Sequence, residues 1–345
     1  MILLLMLVLA AAPRSAADST ATPSAAVAAP RDSSAVRDSS TARAPLASDA
    51  LADELPWRLT PVQEIVGSGT GRGQVMEPSG LTTDAFGRIY VADAAQHRVQ
   101  QFGPDGSRLW EVGTLGSDPG ELRRPMSVAA IGTLSIGVLD VENRRVDTWD
   151  LFGRWQGVLI DLAQLEDADP VGRIDAIAMA TDRGGAVFVA DAERDRVIAF
   201  DFSGRVSGVI GGIGTRPGSF RGLRGLAVSP RGELVCTERA NGRVQRLTAG
   251  GRALASWPLD VKPGRALLPA AIDDSARVAV ADEATGRLWM FDARGALLAR
   301  ADGLAGPRAL AFAGDGSLLV AEARAGIVRR WRLVPARAAD AGAEH

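Results

Sequence analysis

Apolar positions along this chain fall in short runs broken by Gly, Pro, Asp and Asn, and no stretch repeats them at a helical period. The first clear unit shows the plan. Gly80 to Asp84 is one run, and Asp84-Ala85-Phe86-Gly87 reads as a turn. Arg88 to Asp93 is a second run, rich in β-forming residues. Ala94 to His97 is a loop, Arg98 to Phe102 a third run, and Pro104-Asp105-Gly106 a tight turn in which Gly supplies a positive φ. Leu109 to Val112 is a fourth run, followed by a glycine loop from Gly113 to Gly120 and then Pro125.

The unit repeats. An acid closes the second run six times, at Asp93, Asp140, Asp191, Glu238, Asp282 and Glu322, at intervals of 47, 51, 47, 44 and 40 residues. Five residues later stand Arg98, Arg145, Arg196, Arg243 and Arg287, with Ile327 in the sixth unit. Thirteen after the acid come Gly106, Gly153, Gly204, Gly251 and Gly295, with Pro335 last. Two before it is Val, except for Cys236 in unit four. Four strands in about 45 residues is the period of a propeller blade. The sixth unit runs out after its third strand, near Val334. The chain from Trp57 to Gly67 reads as the missing fourth strand, which closes the ring and removes an exposed sheet edge. The expected fold is all-β: a six-bladed β-propeller of four-stranded antiparallel blades, closed by its N-terminal strand.

The run Gly87-Arg88-Ile89-Tyr90-Val91-Ala92-Asp93-Ala94-Ala95-Gln96-His97-Arg98-Val99-Gln100-Gln101-Phe102, with the later Gly113–Gly116 and Gly120–Pro125, resembles an NHL repeat. The resemblance spans Trp57 to about Pro335, strongest in units one, three and four. It too implies six blades. It does not imply one activity, because relatives include binding and sensor modules, RNA-binding domains and a few metal-dependent lyases, with sugar-lactonase propellers more distant.

Two segments flank the expected propeller. Ile2 to Ala12 is an apolar run, too short to span a bilayer and suited to an export signal, with Ser15 and Ala17 placed for cleavage before Asp18. No Lys or Arg precedes it, and no Cys follows that could carry a lipid. Residues 18–56 are Ala, Ser, Thr, Pro, Arg and Asp with almost no large apolar side chain, so they read as a disordered linker. The domain reading is a signal peptide over 1–17, linker over 18–56, propeller over 57–335 and a tail over 336–345. The expected location is extracytoplasmic, periplasmic or secreted.

Composition narrows the chemistry. The 39 Lys+Arg balance 41 Asp+Glu, a net charge of -2, so no global attraction to nucleic acid is expected. One Cys and two His, His97 and His345, exclude a disulfide framework, a Cys-based zinc cluster and a three-His site. The NHL-like lyases hold zinc through several His, which this chain lacks. Cys236 reads as core, and His97 as a loop residue satisfying turn backbone. Asn143 and Asn241 each follow a repeat acid by three residues and read as left-handed turn positions. The strands nearest the axis are apolar and small, so the channel is expected to be narrow. No catalytic residue, metal or cofactor is assigned.

Two binding surfaces remain. The repeat acids and arginines read first as pairs across one loop, each exposed pair worth ~0–1 kcal/mol. The same loops would also present Arg72, Arg123, Arg124, Arg216, Arg221, Arg224 and Arg308, whose planar forks suit carboxylates. Candidate partner-binding residues are therefore Arg98, Arg145, Arg196, Arg243 and Arg287. The longest interval contributes an acidic insertion, Asp161 to Asp175, with Asp167 and Asp169 as candidates for a cation or basic peptide. The leading expectation is a non-catalytic, monomeric module that binds a protein or acidic ligand through this loop face. The alternative is a divalent-metal-dependent extracytoplasmic hydrolase or lyase of the lactonase-like type.

Overall fold

A computed structural model describes residues 55–165 and 171–336. The readings for 1–17, for nearly all of 18–56 and for the tail beyond Ala336 lie outside them. Among the described residues no helix is long and apolar enough to cross a membrane.

Six sheets form the fold. Blade one holds β3 (Pro78–Thr83), β4 (Ile89–Asp93), β5 (Arg98–Phe102) and β6 (Arg108–Val112), in that order from the axis outward. Blades two to five repeat the order: β7–β10 over 125–161, β11–β14 over 176–211, β15–β18 over 223–258 and β19–β22 over 270–301. Blade six takes β23 (Pro307–Phe312), β24 (Leu318–Glu322) and β25 (Ile327–Pro335) from the end of the chain. Its outer strand is β1 (Trp57–Ser68), antiparallel to β25 from Trp57↔Pro335 to Val66↔Val328. The short β2 (Gln74–Val75) lies beyond, parallel to β1. The closing strand is thus the one expected from sequence.

The second strand of a blade is buried on both sides by its neighbours. Ile89–Asp93, Val187–Asp191, Leu234–Glu238, Val278–Asp282 and Leu318–Glu322 are buried throughout. This is why they read as continuous apolar runs rather than alternating ones. Cys236 is fully buried among Phe220, Leu226 and Leu234, and burial pushes its thiol pKa up. The hairpin glycines take the positive φ expected of them; Gly204 has φ 80°, and a Cβ there would meet the Leu159 carbonyl.

Antiparallel succession sorts the connections onto two faces. Turns after the first and third strands of each blade lie on one, called here the turn face. Loops after the second strand, and those between blades, lie on the other, the loop face.

Candidate functional site

The loop face is built on the repeat acids, and all six are buried to 1% exposure or less. This corrects the expectation of exposed ion pairs. A buried carboxylate needs donors, and here about half come from backbone. Asp93 accepts the amides of Met76 and Glu77 at 3.0 and 3.1 Å. Asp140 accepts that of Arg123, Asp191 that of Asp175, Glu238 that of Arg221 and Glu322 that of Ala305. Five of the six acids therefore grip the loop that enters their own blade, Asp282 being the exception. Burial raises the Asp140 pKa to about 6, against the opposing bonds from the Arg123 amide and Asn143.

The arginines take the same loops from the acceptor side. Arg98 donates to the carbonyls of Gly71 and Gln74, Arg145 to Ser117 and Glu121, and Arg243 to Thr215 and Ser219. Arg196 is buried and donates to Val171 O. Direct pairing of acid with the Arg five residues on occurs in two blades, Arg196–Asp191 at 2.8 Å and Arg243–Glu238 at 2.7 Å. Arg287 instead reaches Asp302 at 2.9 Å and Asp260 at 3.7 Å. Acid and arginine together supply the partners that an irregular loop cannot find in a sheet.

A further column escaped the sequence reading. The residue four after each acid is left-handed in every blade: His97, Arg144, Asp195, Gly242, Gly286 and Gly326, with φ from 47° to 70°. His97 Nδ1 accepts the Arg124 amide at 3.1 Å, and Asp195 accepts those of Gly222 and Leu223. These bonds tie one blade to the entry of the next. His97 is a turn residue, as expected. Asn143 and Asn241 are not the left-handed residues, which corrects their assignment. Their carboxamides donate to the preceding acids and to Gly116 O and Gly214 O.

Blade five departs from the pattern. Glu283 takes the entering amide, of Leu267, and Asp282 is held by the Arg239 guanidinium from blade four. At the axis Arg308 binds both Glu77 and Glu283. Arg224 donates to the carbonyl of the residue before it, Leu223. Arg124 stands 3.8 Å from Glu77.

Of the seven loop arginines named from the sequence, that leaves Arg72, Arg123, Arg216 and Arg221 exposed and without an ion pair or side-chain hydrogen bond among the described residues. Two of the same loops carry exposed apolar side chains at matching positions, Leu115 (61% exposed) and Ile213 (72%). Asp167 and Asp169 lie outside the described residues. The described end of that insertion packs inward, with Val171 and Ile174 in the core.

The channel is shut below this face. Leu81, Val128, Met179, Leu226, Ala270 and Leu310, each twelve residues before its repeat acid, form a buried apolar ring. The space that this ring lines on its loop-face side is about 70 Å³, and a separate recess of about 570 Å³ on the same face is lined by Glu77, Glu283, Arg308 and Arg324. Among the described residues no group of three His, Cys, Asp or Glu gathers as a metal-ligand set.

Fold and face define a six-bladed β-propeller with an arginine-bearing loop surface over a plugged channel. No family model matches the chain. Over 138 residues, 40% of the chain, it is 27% identical to Protein brain tumor of Drosophila melanogaster, of whose length the match spans 13%. Among solved structures it resembles a streptogramin B lyase (TM-score 0.55, 12% identity, 82% of this chain and 99% of the other). It also resembles virginiamycin B lyase from Staphylococcus aureus (0.58, 11%, 81% and 100%) and a gluconolactonase from Xanthomonas campestris (0.58, 16%, 83% and 93%). At these identities the likeness is one of fold.

Proposed function

We propose that this chain is an exported, non-catalytic NHL-type β-propeller whose loop face binds an acidic protein partner. One observation carries the reading: Arg72, Arg123, Arg216 and Arg221, exposed and without an ion pair among the described residues, share the loop face with exposed Leu115 and Ile213. Arginine beside exposed apolar side chains is the composition of an interface centre, and a lone charged patch is not. Arg98, Arg145, Arg196, Arg243 and Arg287 serve this face by fixing the loops that present it. Export rests on the apolar run Ile2–Ala12 and the small residues after it.

The lactonase-like and lyase alternative has no ligand set among the described residues to rest on, and the enzyme neighbours share only the fold.

The test places a photocrosslinking residue at Ile213 on the loop face and at Phe202 on the turn face, in the full chain expressed in its own host. The reading expects one protein captured from Ile213, not from Phe202, and lost when Arg72, Arg123, Arg216 and Arg221 are replaced by Ser. Capture that survives those four replacements rejects the arginine face. Fractionation of the same cells, with the chain found in the cytoplasm, rejects export.

A further inference from the structure

On the turn-face side of the apolar ring the channel widens into a funnel of about 830 Å³, a volume suited to a small organic ligand. The ring forms its floor. Val228, Ile272 and Phe312 line its wall. Two of the lining threonines are already committed: Thr83 Oγ1 donates to Phe312 O and Thr181 Oγ1 to Ala130 O, each across a blade seam. The deep part of the funnel therefore offers apolar contact and no spare polar group from these residues.

Charge is confined to the rim, and most of it is cancelled there. Asp84 pairs with Arg88 at 2.6 Å, Asp273 with Arg277 at 2.7 Å, and Asp274 with Arg183 at 3.2 Å. The last pair joins the first turns of blades three and five, over the intervening turn of blade four. One rim carboxylate has no cation. Asp182 Oδ1 accepts the Ala186 amide at 3.0 Å, and Oδ2 has no hydrogen bond or ion pair among the described residues. An uncompensated charge at the mouth of a low-dielectric recess attracts its counter-ion more strongly than the same charge on an open surface.

We infer that the turn-face funnel binds a small amphiphilic cation, an ammonium on an apolar body. The body would lie on the Leu81–Met179–Leu226–Leu310 floor, with the ammonium at Asp182. This site is on the opposite face from the proposed protein-binding surface and independent of it.

The experiment uses full-length protein labelled at the methionine methyl groups, with the Met179 signal assigned by Met179→Leu. It is titrated with 3-phenylpropylammonium, 3-phenylpropanol and 3-phenylpropionate, three probes of one shape and different charge. The inference expects a saturable Met179 shift with the ammonium, binding about tenfold tighter than the alcohol, and none with the carboxylate. Asp182→Asn keeps the acceptor for the Ala186 amide and removes the charge, so it should bring the ammonium down to the alcohol. Ala130→Trp, which fills the wall, should abolish both. No saturable shift, equal binding of ammonium and alcohol, or an ammonium preference that persists in a folded Asp182→Asn protein would each overturn it.

Discussion

Arg239 and Asp282 form a buried ion pair across the seam between blades four and five, with the side chains 2% and 1% exposed. Burial opposes the Asp282 charge, but the guanidinium and the Ala284 amide outweigh it and hold the carboxyl below its usual value. A depressed carboxyl contributes stability above its unfolded pKa and loses it as pH falls through the folded one. Asp282→Asn should therefore cost about 3–5 kcal/mol at pH 7, because Arg239 is left buried and uncompensated. The cost should shrink below pH 4. Urea unfolding at pH 7 and pH 3.5 measures it, and an equal cost at both would contradict the pairing.

Blade two has the opposite dependence. Asp140 has a folded pKa raised to about 6, and burial raises Asp147 as well. The folded state keeps a proton that the unfolded chain releases near pH 4. This contribution is present at low pH and lost as pH rises through about 6. Its size is on the order of 2 kcal/mol. The stability difference between wild type and Asp140→Asn should fall from pH 4 to pH 7; a difference that rises refutes the assignment.

Loop anchoring and partner contact should separate in mutants. Arg145→Ala removes donors from Ser117 O, Asp118 O and Glu121 O, leaves Asp147 without its guanidinium, and should cost about 1–3 kcal/mol. Amide exchange should accelerate over residues 113–124. Arg123→Ala should change stability by less than about 0.5 kcal/mol and weaken partner capture. Equal stability effects would merge the two roles.

Gly225 lies where two blades nearly touch. A Cβ there would meet Leu268 O at 2.0 Å and Thr237 Oγ1 at 2.5 Å, whereas one at Gly208 meets nothing within 4 Å. Gly225→Ala should cost about 3 kcal/mol or unfold the protein, and Gly208→Ala should be nearly neutral. Thermal melts of the pair decide.

The propeller was legible because its repeat is written in side chains that face fixed partners: the acid, the arginine and the hairpin glycine each occupy one register position in blade after blade. The role of the acid was less legible. Its donors are backbone amides about 17 residues earlier, and an amide has no letter in the sequence. The left-handed column was masked because His97, Arg144 and Asp195 share it with three glycines; alignment on Gly242, Gly286 and Gly326 would have exposed it. Asp282 and Arg239 are 43 residues apart in different units, so a reading made within one unit could not join them. The apolar ring was present as a column twelve before the acid. The funnel beyond it was not, since its volume depends on how six strands diverge.

The pairing of Trp57 with Pro335 also orders events in time. The first strand of the ring is the last to find its place, because its partner β25 is the last strand of the ring to be made. Blades one to five can assemble from neighbours as they appear, but β1, apart from its end at Gly67–Ser68 that pairs β2, must wait until β25 exists. Over that interval the molecule carries an open sheet edge, the state most prone to join another chain. A chain interrupted before β25 would retain five sound blades and an unsatisfied strand. Quality control can thus read closure of the ring from a single edge.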